Sequence, residues 1–228
     1  MKYRPSFAFD ELSGKAGSVV AVNNRKNPFL RPRITPINPN STAQQGVRGD
    51  LTSLAQGWGN LTDSQRAAWN NAVPDYQTTG LFGNKRNPTG FNLYMKLNGN
   101  LLDCNATTIS TPVLKVSMFV PGLVSVAGDV SDESVDVTFT EVAVPVGFRY
   151  VIRAAALNPV GRKIVKGDFR NIAVINAGAD PSSDYGSIYV AKFGSLVVGK
   201  RIAVEVVAVS TTTGQKSQPI TVEAIVQA

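Results

Sequence analysis

The chain has 228 residues, a net charge of +7 and a hydrophobic fraction of 43%. That length suits two compact domains, and no run approaches the eighteen or so consecutive apolar residues of a membrane span. Histidine is absent and Cys104 is the sole cysteine; this removes the commonest general base and metal ligand, any internal disulfide and any thiolate cluster, so a protein without enzymatic activity, cofactor or metal is expected.

The positive charge is concentrated early: in the first 48 residues eight basic side chains face only Asp10 and Glu11. A basic arm of this kind suits an acidic protein surface or nucleic acid. The start, Met1-Lys2-Tyr3-Arg4-Pro5-Ser6, has no apolar core followed by a small-residue cleavage site, so export by a signal peptide is not expected.

Along the chain, Gly14-Lys15-Ala16-Gly17-Ser18 and Val19-Val20-Ala21-Val22 read as a glycine-opened, hairpin-like segment. Pro28, Pro32, Pro36 and Pro39 each remove an amide donor and hold the preceding residue extended. Residues 1–39 therefore read as an extended arm or hairpin, neither helix nor central strand. Residues 40–105 read as a small helical unit. Ser41 offers an N-cap with Gln44 three positions on, and Val47, Leu51, Leu54 and Trp58 fall on one helical face. Gly46, Gly49 and Gly57 weaken that helix. Thr62 and Gln65 repeat the capping box, Leu61 is placed as a staple, Trp69 and Ala72 point inward, and Val73-Pro74 ends the second helix. Residues 77–88 read as a loop, and beyond it Phe91, Tyr94, Leu97 and Leu101 share a third helical face.

From residue 106 the texture changes to short β-branched segments between turn clusters. Strands are expected at Leu123–Val126, Ser134–Phe139, Arg149–Ala155, Ile172–Ile175, Ile188–Val190, Ile202–Val209 and Ile220–Val226, with Thr211–Gln215 as the last hairpin loop. Seven strands at this spacing predict an antiparallel sandwich of immunoglobulin or fibronectin type III kind over 106–228, without the paired Cys and strand Trp of antibody domains. The fold class is α+β.

Other chemistries find little footing. Asp129, Asp132, Glu133 and Asp136 gather oxygens around one turn, yet lack the loop glycine and terminal bidentate Glu of a calcium loop. Gly14–Ser18 lacks the spacing of a phosphate-binding loop. Phe7, Phe9 and Phe29 could stack on single-stranded bases, but no nucleic-acid fold accompanies them.

Asn38-Pro39-Asn40-Ser41-Thr42-Ala43-Gln44-Gln45-Gly46-Val47-Arg48, followed by Trp58-Gly59-Asn60-Leu61-Thr62-Asp63-Ser64-Gln65-Arg66-Ala67-Ala68-Trp69, resembles a recurring phage module. Its pattern is Pro-x-Ser/Thr-x-x-Gln-x-x-x-Arg, a spacer, then Trp-x-x-Leu-Thr-x-x-Gln-Arg-x-x-Trp. The full layout is similar to an uncharacterised family of small proteins from Bacteroidetes and their tailed phages, crAss-like phages among them. That family joins an opening Gly-Lys-x-Gly-Ser segment to a closing sandwich; Gly161–Arg170 and Ser210–Ser217 look like its sandwich segments. The resemblance implies a virion structural protein assembled in the host cytoplasm.

The expectation is a capsid-associated auxiliary or decoration protein anchored by its N-terminal half. Its partners would be other virion proteins, the major capsid protein first, with homo-oligomers open and neither membrane nor nucleic acid expected. Arg25, Lys26, Arg31 and Arg33 are the expected anchoring charges, with Phe29 and Leu30 as apolar contacts; Trp58, Trp69, Gln44, Gln65 and Arg66 are the expected structural residues. A tail, connector or head-fibre-base part, a bacterial surface adhesin and a DNA-binding accessory are the alternatives.

Overall fold

The computed structural model describes residues 13–22, 29–35, 37–79, 83, 85–157 and 161–228. The chain is mixed α+β and divides into two compact units, Met1–Gln45 and Gly46–Ala228.

In the first unit, β1 (Gly14–Ala16), β2 (Val19–Val22) and β3 (Phe29–Pro32) form an antiparallel sheet in that order. Gly17 takes a φ of +56° in the two-residue turn between β1 and β2. The proline-bearing segment, read as an extended arm and neither helix nor central strand, contributes an edge strand over Phe29–Pro32. That is where a residue without an amide donor is tolerated, and Pro32, the last residue of β3, lies opposite Val19.

The second unit begins with helices. α1 (Thr42–Gly59), α2 (Asp63–Ala72) and α3 (Gly90–Asp103) each open on a side-chain cap. Gln44 N–H donates to Ser41 Oγ and Ser41 N–H to Gln44 Oε1, a reciprocal box that lies wholly within the first unit's residues. Thr62 and Gln65 close the same box on α2, and Thr89 Oγ1 accepts from Asn92 N–H on α3. A 3₁₀ turn, Val73–Tyr76, follows α2 with Pro74 near its start, and β4 (Thr78–Thr79) pairs with β5 (Lys85–Arg86) inside the stretch read as loop.

These helices bury Leu54, Leu61, Trp69, Val73, Tyr76, Leu93, Tyr94 and Leu97 in one cluster. Tyr94 lies between the two tryptophans, 5.4 Å from each ring centroid. Gly57 earns its place here: a Cβ on it would stand 2.7 Å from the Tyr94 hydroxyl oxygen, so this glycine permits close packing, whereas Gly46 and Gly49 face open space. The apolar stripe of α1 is only half covered. Leu54 is buried and Trp58 partly so, but Val47 and Leu51 are 61% and 52% exposed.

The remaining strands are β6 (Leu123–Asp129), β7 (Ser134–Phe139), β8 (Phe148–Leu157), β9 (Arg170–Ile175), β10 (Ser183–Asp184), β11 (Arg201–Ser210) and β12 (Ile220–Ile225). They form a three-stranded sheet, β10-β7-β6, and a four-stranded sheet, β12-β11-β8-β9, with every ladder antiparallel. Val126, Val135, Val137 and Phe139 of the first share one core with Tyr150, Ile152, Ile202, Val204 and Val206 of the second. Val135, Val137 and Phe139 alternate with exposed residues, as a strand with one wet face must. β11 is buried almost throughout because both of its faces are covered. Val209 packs with Cys104 beyond the α3 end, and Ala203 packs against Leu157, Ile164 and Phe169.

One expected strand is a helix. Ile188–Val190 lies in α4 (Gly186–Phe193), and the strand in this part of the sheet is the short Ser183–Asp184. Tyr185 and Tyr189, one turn apart, both face the core. Gly186 rests so closely on the Glu133 carbonyl that a Cβ would collide with it, which holds α4 against the start of β7.

Candidate partner-binding surfaces

The β1–β3 sheet carries the described part of the expected anchor. Its register places Lys15, Val20 and Arg31 in one row across the three strands. Phe29 and Arg31 are two positions apart on β3 and point to that same face, whereas Leu30 points to the other. Arg33 continues the ladder, its N–H donating to Ser18 O at 2.7 Å. Lys15, Arg31 and Arg33 are exposed and, with Val20, Pro32, Ile34 and Thr35, border a shallow concavity; Phe29 and Leu30 are half-buried. The structure thus brings Phe29, Arg31 and Arg33 together with Lys15 and separates Leu30 from them. Arg25 and Lys26 lie outside the described residues.

The other expected residues have local roles. Trp69 is fully buried and donates from Nε1 to Ser110 O at 2.8 Å. Trp58 packs edge-on to Phe91, 5.6 Å between centroids. Arg66 donates to Gly59 O at 2.7 Å, placing its charge on the last carbonyls of α1, and pairs with Asp63 at 3.3 Å.

Asp129, Asp132, Glu133 and Asp136 sit on or beside the β6–β7 hairpin turn. Asp129 Oδ1 accepts from both the backbone N–H and the hydroxyl of Ser131, which holds its carboxyl below the ordinary range. Among the described residues no three acidic or sulfur side chains converge as a metal site would need.

A second surface lies where α3 meets the loop joining β11 to β12. Asn100 Nδ2 donates to Gly214 O at 2.8 Å. Gln215 Oε1 accepts from Val116 N–H at 3.1 Å, Gln215 Nε2 donates to the Tyr76 hydroxyl at 3.2 Å, and that hydroxyl donates to Val113 O at 3.2 Å. Lys216 Nζ meets Asp103 Oδ2 at 2.7 Å. Gly214, with φ +70°, lies against the Leu97 carbonyl where no Cβ would fit. Beside this junction opens a cleft of about 320 Å³ lined by Tyr76, Gln77, Lys96, Leu97, Asn100, Lys115, Met118, Gln215 and Lys216. Sequence reasoning placed Leu97 on a core face and Thr211–Gln215 in a hairpin loop, but nothing local signals that Lys96, Lys115 and Lys216 converge.

Compared with known protein families, curated proteins and solved structures, the chain matches none.

Proposed function

We propose that the chain is a non-enzymatic structural protein of a tailed-phage virion, a capsid-associated auxiliary or decoration protein that docks through its N-terminal half. The observation carrying this reading is the face of the β1–β3 sheet on which Lys15, Arg31 and Arg33 stand together beside Phe29. Exposed cations around an aromatic suit an acidic protein neighbour, and the charge speeds encounter with it. The resemblance of residues 38–69 to a phage module supports the virion setting. The half-covered stripe of α1, with Val47 and Leu51 exposed, supports a helix whose burial is completed by a neighbour.

Residues 106–228 are read as an immunoglobulin or fibronectin-III-like sandwich. Three antiparallel strands face four across one core, with the first, second and fifth of the seven in the smaller sheet, which supports that assignment. In this reading the sandwich projects from the particle or bridges neighbours, and assembly takes place in the host cytoplasm.

The test is quantitative mass spectrometry of purified particles carrying the wild type, a 1–37 deletion or the double variant Arg31→Glu/Arg33→Glu. Incorporation of the full chain and its loss in both variants are expected, with circular dichroism of each variant showing retained β-structure. Full occupancy by the truncated chain overturns the anchoring reading, and absence from particles overturns the virion reading. A copy number of about a dozen instead of hundreds moves the protein to the connector or tail, where ring symmetry sets the count.

A further inference from the structure

We propose that the cleft between α3, the segment around Lys115 and the β11–β12 loop is a second binding site, for an Asp- or Glu-bearing segment of a partner polypeptide. The site shares no residue with the β1–β3 face and does not depend on the virion reading. Its walls divide by chemistry. Half-buried Met118 supplies the apolar surface beside the nearly buried Leu97 and Tyr76, while Lys96, Lys115 and Lys216 supply cations. Lys216 is already neutralised by Asp103. Lys96 and Lys115 are exposed and have no ion-pair partner among the described residues, so two uncompensated charges flank one concavity.

Two amides of the wall, Asn100 and Gln215, are committed. Asn100 Nδ2 serves Gly214, and Gln215 serves both Val116 and Tyr76. They hold the wall's shape, which leaves recognition to the two ammonium groups, the Gln77 amide and the apolar lining. A space of about 320 Å³ lies at the small end of the pocket range and takes two or three residues of extended chain. Carboxylates on Lys96 and Lys115 with an apolar side chain over Met118 match the two unpaired charges and the apolar part of the lining. Nucleic acid fits less well: Tyr76 is 8% exposed and offers no stacking face, and two cations make a short phosphate track.

The experiment uses the full chain and a fluorescein-labelled, end-blocked tetrapeptide, Glu-Leu-Glu-Gly, with Gln-Leu-Gln-Gly as its neutral twin, read by fluorescence anisotropy at low salt. The glutamate peptide should bind at least tenfold tighter than the glutamine peptide. Lys96→Glu/Lys115→Glu should abolish the difference, whereas Arg31→Gln/Arg33→Gln should leave it intact. Because Lys96 and Lys115 are exposed, their variants fold, and an unchanged thermal melt checks it. Equal binding of the two peptides, or binding lost only with the Arg31/Arg33 variant, overturns the proposal. So does displacement of the glutamate peptide by an equal concentration of a single-stranded oligonucleotide whose own binding depends on Lys96 and Lys115.

Discussion

Gln215 Nε2 donates to the Tyr76 hydroxyl at 3.2 Å, joining residues 139 positions apart in the chain. The bond ties the turn after α2 to the loop after β11, and Gln215, 6% exposed, also accepts from Val116 N–H. Replacing Gln215 by Leu removes its bonds to both the part-buried Val116 N–H and the Tyr76 hydroxyl and should cost about 1–2 kcal/mol in urea denaturation; Tyr76→Phe should cost about 1 kcal/mol. In a double-mutant cycle the two should couple by about 0.5 kcal/mol or more. Strict additivity would mean that the side chains do not meet in solution.

Gly214 tests the same junction through the backbone. Its φ of +70° strains any other residue, and a Cβ would also strike the Leu97 carbonyl. Gly199, with φ +79° and open space, carries only the first penalty. Gly199→Ala should therefore cost about 1 kcal/mol, the left-handed penalty alone, and Gly214→Ala at least about 2 kcal/mol. Equal midpoint shifts in the two variants would deny the close approach of α3 to the loop.

What the sequence made legible follows from range. Alternation within Ser134–Phe139 is a local pattern, and that strand spans the residues expected. Both capping boxes are encoded three residues apart, and both close. Ile188–Val190 misled because its β-branched residues mimic a strand, while the feature that decides, Tyr185 and Tyr189 one helical turn apart over a Cβ-free Gly186, becomes visible only against Glu133. The lysine cleft left no local trace: Lys96, Lys115 and Lys216 come from three separate segments. The proline spacing announced extended backbone in 28–39, but the pairing of Phe29–Pro32 with β2 is a tertiary choice.

The glycines of α1 should respond with opposite signs. Gly49→Ala, in open space on the helix, should stabilise the chain by roughly 0.5–1 kcal/mol, the intrinsic difference in helix propensity. Gly57→Ala should destabilise it despite the same propensity gain, since the new methyl group meets a Tyr94 hydroxyl held between Trp58 and Trp69. Thermal melts of the two variants read the sign directly.

Alkaline pH should weaken the fold through its buried phenols. Burial, and secondarily the Asp180 carboxylate, pushes Tyr185 up to about 12, and burial alone pushes Tyr189 up to about 12. An unfolded tyrosine titrates near 10, so above that pH the unfolded chain sheds protons that the folded chain keeps. The contribution is complete below about pH 10 and is lost as pH climbs from there through about 12. Urea midpoints should fall between pH 9.5 and 11.5, and fall less in Tyr185→Phe; identical slopes would show that Tyr185 titrates normally.

Cys104 reports on the last turn of α3. Its thiol is fully buried, donates to Leu101 O at 3.2 Å and is held in its protonated form by burial, which raises its pKa. Arg149 on β8 donates to Cys104 O at 2.8 Å and to Asn105 O at 2.6 Å, clamping the carbonyls that end the helix. A disulfide reagent can reach the sulfur only when this turn opens, so labelling at neutral pH should be slow and should accelerate with sub-denaturing urea. Arg149→Met removes the clamp's donors while keeping the apolar stem. A loss of about 1.5 kcal/mol in local stability, ordinary for hydrogen bonds to a charged group, should speed labelling about tenfold. Labelling of the wild type at the rate of a free thiol would mean that α3 is not docked on the four-stranded sheet through Arg149 and Cys104.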